Sequence, residues 1–129
     1  MLQVGLLNPH LLSLLARIRH TNTLVIADAM FPSWPGIETV DLSLIGGVPT
    51  VPQVLSAVLA DWKAGSAWMA EEFLANNNPE TQREFRTVLG SVRLTVEPHL
   101  ALKRRVPTCT GLIRTGEMRT YTNIVLESA

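Results

Sequence analysis

The four residues Leu24-Val-Ile-Ala27 limit the folds open to this chain more than any others. They form an unbroken aliphatic run of strand length, with polar residues on either side. Nothing polar alternates within the run, which predicts a strand with both faces covered. Strands of that kind belong to parallel sheets packed by helices. Asp28 follows at the C-terminal end of the strand, the end at which open α/β sheets gather their ligands. His20 precedes the strand, in a turn that can carry its imidazole back beside it. Imidazole ordinarily titrates near ~6.5, so the pair places a proton-transfer group beside an ion suited to hold a polar ligand.

At 129 residues the chain is expected to form one domain, spanning residues 1–129, with a hydrophobic core that needs no staples. Its formal net charge is zero and charged residues make up 17%. A basic footprint for nucleic acid or anionic membrane is therefore missing, and neither is expected as a partner. Lys103-Arg104-Arg105 is the nearest thing to a basic cluster. It reads as a solvated helix end, because no aromatic residues interleave with it as stacking platforms. No apolar run approaches the ~20 residues of a membrane-spanning helix. The first residues lack a cationic start and are interrupted by Asn8-Pro9-His10, unlike a secretory signal. The lone Cys109 excludes an intrachain disulfide and reads as a packed, inert thiol. These features lead to the expectation of a cytoplasmic protein.

Helices and strands alternate along most of the sequence. Asn8 as N-cap and Pro9 at the first helical position open a helix with Leu11, Leu12, Leu15 and Ile18 on one face. The loop Met30–Gly36 holds two prolines and two aromatics, and it fits a binding wall as well as a lid on the core. A short strand is expected within Ile37–Leu44. A second helix begins near Thr50 and Pro52, with the stripe Val51, Val54, Leu55, Val58, Leu59 and Trp62 turned inward. Ala67–Ala70 reads as a brief strand. Asn78-Pro79 repeats the cap-and-proline signature for a third helix that ends at Gly90. Strands Val92–Val96, Cys109–Thr115 and Tyr121–Leu126 and a short helix over residues 99–105 complete the reading. The expected class is α/β, a single compact layered domain with a mixed, largely parallel sheet flanked by helices.

Few residues carry chemistry. His10, in the first turn of a helix, reads as a surface histidine. His20 sits at a helix end, where the helix dipole favours its protonated form. His99 follows Pro98 after a strand, at an edge where ligands collect. None of the three has the spacing of a metal motif, so no metal is expected. Tyr121 and Asn123 are two apart, which on a strand puts both on one face. They suit a hydroxyl-rich ligand, and they equally suit a last strand that turns polar side chains to water.

Taken in order, Asn8-Pro9, the segment Leu15-Ala-Arg-Ile-Arg-His20-Thr-Asn-Thr-Leu-Val-Ile-Ala-Asp28-Ala, Phe31-Pro, Gly47-Val-Pro, Gln53-Val-Leu55, Ile113-Arg-Thr-Gly-Glu117 and Tyr121-Thr-Asn123-Ile-Val-Leu resemble the ribose pyranase and fucose mutarotase family over nearly the whole chain. That resemblance implies a small α/β protein that interconverts cyclic forms of free monosaccharides without a cofactor. It also implies a ring-shaped homo-oligomer, a pentamer or a paired pentamer (decamer), with active sites at subunit boundaries. Residue by residue, His20 matches the catalytic histidine and Asp28 the sugar-binding carboxylate. His99, Tyr121 and Asn123 match further substrate-binding positions, and Gln53-Val-Leu is closer to the ribose branch. The family usually has glycine where this chain has Arg19, and a small residue where it has Met30.

The chemistry that the resemblance implies is simple. Opening a cyclic sugar removes the proton of the anomeric hydroxyl and protonates the ring oxygen, and re-closure gives another form. His20 would be the acid/base, Asp28 would orient the sugar, His99 would assist, and Tyr121 and Asn123 would fix the ring. Two other classes remain open at this stage: a non-catalytic sugar-binding accessory or regulatory protein, and a purely structural assembly protein. Arg19 motivates the former, since a fixed cation beside His20 changes its titration or placement.

Overall fold

The computed structural model describes Met1 and residues 5–129. Along the chain come α1 (Pro9–Arg17), β1 (Thr23–Ala27), β2 (Glu38–Asp41), α2 (Val51–Asp61), β3 (Ala64–Ala70) and α3 (Glu72–Asn76). They are followed by α4 (Pro79–Leu89), β4 (Arg93–Glu97), α5 (His99–Arg105), a 3-10 turn at Val106–Thr108, β5 (Gly111–Arg114) and β6 (Ile124–Ser128).

The strands form one sheet in the order β2-β5-β1-β6-β3-β4. β5 is parallel to both β1 and β2, and β3 is parallel to β4. β6 is antiparallel to β1 on one side and to β3 on the other. Among the described residues, five strands therefore share one direction and β6 is reversed, in keeping with the expected mixed, largely parallel sheet. One consequence governs function. The C-terminal ends of β1, β3 and β4 and the N-terminal end of β6 all lie along the same edge.

The aliphatic run behaves as its sequence demands. Leu24 and Ile26 turn to one face of the sheet and Val25 and Ala27 to the other, and all four are fully buried. The first face is packed by Leu11, Leu14 and Leu15 of α1, by Val54, Leu55 and Val58 of α2, and by Phe85 and Leu89 of α4. Leu102 of α5, Val106 and Phe31 cover the second. Helix starts are set locally. Asn8 Oδ1 accepts from Leu11 N–H at 3.0 Å and Asn78 Oδ1 from Thr81 N–H at 2.8 Å. Thr50 and Gln53 make a reciprocal capping box at the head of α2. Each such cap is worth about 1 kcal/mol, and this bond accounts for Gln53.

Several expectations need correction. Leu14 rather than Leu12 completes the buried stripe of α1. β3 starts three residues earlier than expected, because its first half pairs with the end of β6. The five-residue α3 was not anticipated. β5 and β6 are shorter than expected, which leaves Cys109 and Tyr121 outside any strand. Cys109 is buried beside the 3-10 turn, with Sγ donating to the Arg105 carbonyl at 3.4 Å. Nor is the basic helix end wholly solvated. Arg105 pairs with Glu97 at 2.7 Å and lies 4.3 Å over the Trp68 ring.

Candidate functional site

A cleft of about 230 Å³ opens at the shared edge described above. One side is apolar, made by Met30, Phe31 and Pro32. The other is a polar arc of Asp28, His99, Thr120, Tyr121 and Asn123. The volume falls below the ~300–1,000 Å³ of drug-sized pockets and suits a ligand of monosaccharide size. Among the described residues, a larger apolar hollow between the head of α1 and α2 has Asn8 and Gln53 as its polar side chains, and both are engaged as helix caps.

Asp28 is the first residue past β1 and is only 4% exposed. Its N–H donates to Asn123 Oδ1 at 2.8 Å, which ties the end of β1 to the lead-in of β6. Its carboxylate accepts from Met30 N–H at 3.0 Å, which folds the following loop over the cleft. Burial pushes the Asp28 carboxyl above its ordinary range, against the pull of the Met30 and Phe31 amides, the Asn123 side chain and the Arg114 charge. A second buried carboxylate makes an instructive contrast. Glu117, 2% exposed, is also pushed up by burial, but the Arg119 fork at 2.7 and 3.0 Å outweighs this and holds it below the usual range. Glu117 also accepts from Val51 N–H at the head of α2. It is a structural anion with its cation supplied. Asp28 forms no salt bridge among the described residues, and it faces the cleft.

His99 opens α5 immediately after β4. Its backbone N–H donates to both carboxylate oxygens of Glu72, at 3.1 and 3.2 Å, so α3 anchors α5 at the pocket. The ring stands edge-on to Tyr121 at 5.2 Å and to Phe31 at 6.4 Å. Burial and the nearby Lys103 charge lower its pKa, opposed by Glu72 and Asp28, which favours the neutral imidazole. Its Nδ1 is buried without a hydrogen-bond partner among the described residues. Tyr121 reaches the cleft in a way that alternation did not predict. It adopts a left-handed backbone conformation (φ +56°), which no strand continues through, so it and Asn123 do not share a strand face. Thr122 Oγ1 donates to the Arg119 carbonyl at 2.9 Å and stabilises this bend.

The structure thus gathers Asp28, His99, Tyr121 and Asn123 from three separate stretches of chain. It does not gather His20. That residue is exposed in the turn before β1, at the opposite edge of the sheet. The five residues of β1, at ~3.3 Å each, span roughly 16 Å. The turn before β1 does not, then, carry His20 back beside Asp28 within one chain: the strand's own length keeps them apart. His10 is exposed near Glu38 and Asp41 and does not line this cleft.

Sequence reasoning missed Thr120, which lines the cleft, and Glu72, whose partner is a backbone amide 27 residues away. It also left the Met30–Gly36 loop undecided. Met30, Phe31 and Pro32 form a wall of the cleft, while Phe31 and Trp34 also pack on the core, so both readings hold.

Comparison with known proteins converges on one group. The RbsD / FucU transport protein family matches residues 1–129. The D-ribose pyranase of Pediococcus pentosaceus is 33% identical over 128 residues, covering 99% of this chain and 97% of that protein. The D-ribose pyranase of Geobacillus kaustophilus is 37% identical over 124 residues, covering 96% and 90%. Among solved structures, Bacillus subtilis RbsD complexed with D-ribose superposes with a TM-score of 0.92 at 29% identity, over 100% of this chain and 98% of that one. The fucose mutarotase of Streptococcus pneumoniae in complex with L-fucose shares the fold, with a TM-score of 0.80 at 22% identity over 95% and 92%.

Proposed function

The chain belongs to the RbsD / FucU transport protein family, and from that premise we propose that it is an isomerase interconverting cyclic forms of a free, D-ribose-like monosaccharide. The observation that carries this reading is the cleft itself. Asp28, His99, Tyr121 and Asn123, the residues that the resemblance marks for sugar binding, meet in one small pocket. That pocket lies in a fold that superposes on a ribose-bound RbsD. The D-ribose pyranases at 33–37% identity favour a pentose over a 6-deoxyhexose.

In the proposed mechanism the sugar lies on the apolar wall of Met30–Pro32. Asp28 accepts hydrogen bonds from its hydroxyls, and Asn123 and Tyr121 fix the ring. Neutral His99 accepts or relays a proton. His20 is the principal acid/base, giving a proton to the ring oxygen as the anomeric hydroxyl loses its own, so that the hemiacetal C–O bond breaks to the open aldehyde. Re-closure reverses these transfers. Such a reaction runs on proton transfers alone, without metal or nucleotide.

His20 lies on the far edge of its own chain, so in this reading it is supplied by a second copy. The contact is head-to-tail, with the His20 edge of one subunit on the cleft edge of the next, and repetition closes a ring, a pentamer or paired pentamers. Exposed Leu44, Ile45, Leu94, Val96 and Leu100 provide apolar surface for assembly to bury. A non-catalytic sugar-binding reading is favoured by the same separation, because a monomeric chain keeps the pocket and lacks His20. Magnetization-transfer NMR on D-ribose and L-fucose, run beside sedimentation, tests the proposal. Faster ribose exchange by an oligomer supports it. Saturable ribose binding without faster exchange selects the binding protein.

A further inference from the structure

Arg114 closes β5, and no step above uses it. Its Nη1 donates to the carbonyl oxygens of Asp28 at 3.3 Å, Ala29 at 3.2 Å and Phe31 at 2.6 Å, and Nη2 donates to Pro32 at 3.3 Å. One guanidinium therefore collects four carbonyls from five consecutive residues, and those residues carry both the carboxylate and the apolar wall of the cleft. The side chain is not part of the cleft lining; it stands behind the loop. Strand pairing puts it there, because the parallel register sets Arg114 opposite Ala27, the last residue before the loop leaves β1. The neighbouring residues are committed in the same way. Thr115 Oγ1 donates to the Ala27 carbonyl at 2.8 Å, and a Cβ at Gly116 would run into the carbonyls of Ile45 and Val48.

Carbonyl oxygens converging on one point repel one another unless a cation with several donors stands among them. The planar five-donor fork of arginine meets that need, whereas a lysine ammonium offers a point charge with three donors. We infer that Arg114 is a positioning residue of the sugar site, its fork fixing the loop from Asp28 to Pro32 so that the carboxylate and the Met30–Pro32 wall face the ligand. This rests on the proposed function for its kinetic consequence, but not for its structural one.

The same cation acts on Asp28 through space. Around that carboxylate stand Arg114 from β5, His99 from α5, and Tyr121 and the Asn123 amide from the lead-in to β6. The Arg114 charge opposes the upward push of burial on Asp28, and it acts likewise on Asp41 of β2. Removing the charge makes Asp28 harder to ionise.

The test compares wild type with Arg114→Lys and Arg114→Met by two readouts. The first is an NMR titration of the Asp28 carboxyl together with hydrogen-exchange protection of the Met30 amide, neither of which depends on turnover. The second is the sugar-concentration dependence of ribose exchange. Losing hydrogen bonds to a charged group typically costs about 10- to 100-fold. KM should rise by that order in Arg114→Met and less in Arg114→Lys, with kcat changing less than KM. Asp28 should titrate at higher pH in the methionine variant and near its wild-type position in the lysine variant, and both variants should lose Met30 protection. A purely scaffolding role lowers the active fraction with KM, Asp28 titration and Met30 protection at wild-type values, and that result overturns the inference. Should Arg114→Met not fold, the lysine variant decides, since a wild-type KM and a wild-type Met30 protection overturn it. If the wild-type protein accelerates no sugar, the proposed function fails, while the titration and amide protection still decide for or against Arg114.

Discussion

The two edges of the sheet are built in opposite ways. At the edge that bears the cleft, three parts of the site are held by partners from distant parts of the chain: Asp28 by Asn123, His99 by Glu72, and the loop over the cleft by Arg114. At the other edge His20 sits in a tight turn, Arg19–Asn22, closed by the Asn22 N–H on the Arg19 carbonyl at 2.9 Å and braced by the Thr21 N–H on the Ser128 carbonyl at 3.1 Å. The backbone there is fixed and the imidazole is left exposed. The difference teaches a division of labour. In the proposed reading, the sugar-binding cleft is preorganised within one chain, whereas the group proposed to move protons is exposed at the far end of the strand, where a second copy would take it up.

The sharpest way to break that comparison is His20→Ala. In this account it removes the acid/base and leaves the pocket intact, so exchange should fall by on the order of 10²- to 10⁴-fold while ribose affinity by calorimetric titration stays near wild type. Retained exchange would return catalysis to the cleft edge alone. Asp28→Asn attacks the opposite edge. Ribose affinity should drop by about 10- to 100-fold, the usual worth of hydrogen bonds to an ion. Thermal unfolding should nevertheless shift to the same or a higher temperature. The sign follows from the raised pKa of Asp28: relative to the unfolded chain, the folded state disfavours the ionised carboxylate, so at neutral pH the ionised side chain costs stability. An amide keeps the oxygen that accepts from Met30 N–H and removes that cost. A clear fall in unfolding temperature would mark Asp28 as structural, like Glu117.

A smaller effect separates the edges by pH. The His99 pKa is lowered in the folded state, so the unfolded chain binds the extra proton first. The His99 contribution to stability is complete above the ordinary histidine range of ~6.5. It is lost as pH falls through that range toward the folded value. Replacing His99 with glutamine should flatten that part of the stability–pH curve measured by urea unfolding, and an unchanged slope would place the proton uptake elsewhere.

Local signals made much of the fold legible in advance. Asn8-Pro9 and Asn78-Pro79 announce their helices because a cap and its partner lie three residues apart, and Leu24–Ala27 shows its double burial by lacking polar alternation. The site was legible in its membership and not in its geometry. Asp28, His99, Tyr121 and Asn123 do converge, yet Tyr121 does so from a left-handed bend fixed by Thr122 and Arg119, which no two-residue period encodes. His20 was misplaced because its position before β1 already puts it at the N-terminal end of that strand, and the tight turn Arg19–Asn22 does not run back along it. Arg114 escaped notice since its partners are backbone carbonyls 82–86 residues away, and these are the same in every sequence.

The central claim, that a cleft from one subunit works with a histidine from the next, is tested most directly by mixing two impaired variants, one lacking the acid/base and one weakened in sugar binding, and assaying them at a ribose concentration well below the KM of either. His20→Ala and Asp28→Asn are unfolded together in equal amounts, refolded, and assayed for ribose exchange. If sites are shared head-to-tail, random assembly gives a site with both intact residues at about one in four boundaries, by the product of two halves, so roughly a quarter of wild-type activity should return. If the mixture is no more active than the average of its two components, each site draws both residues from one chain and the shared-site account is wrong.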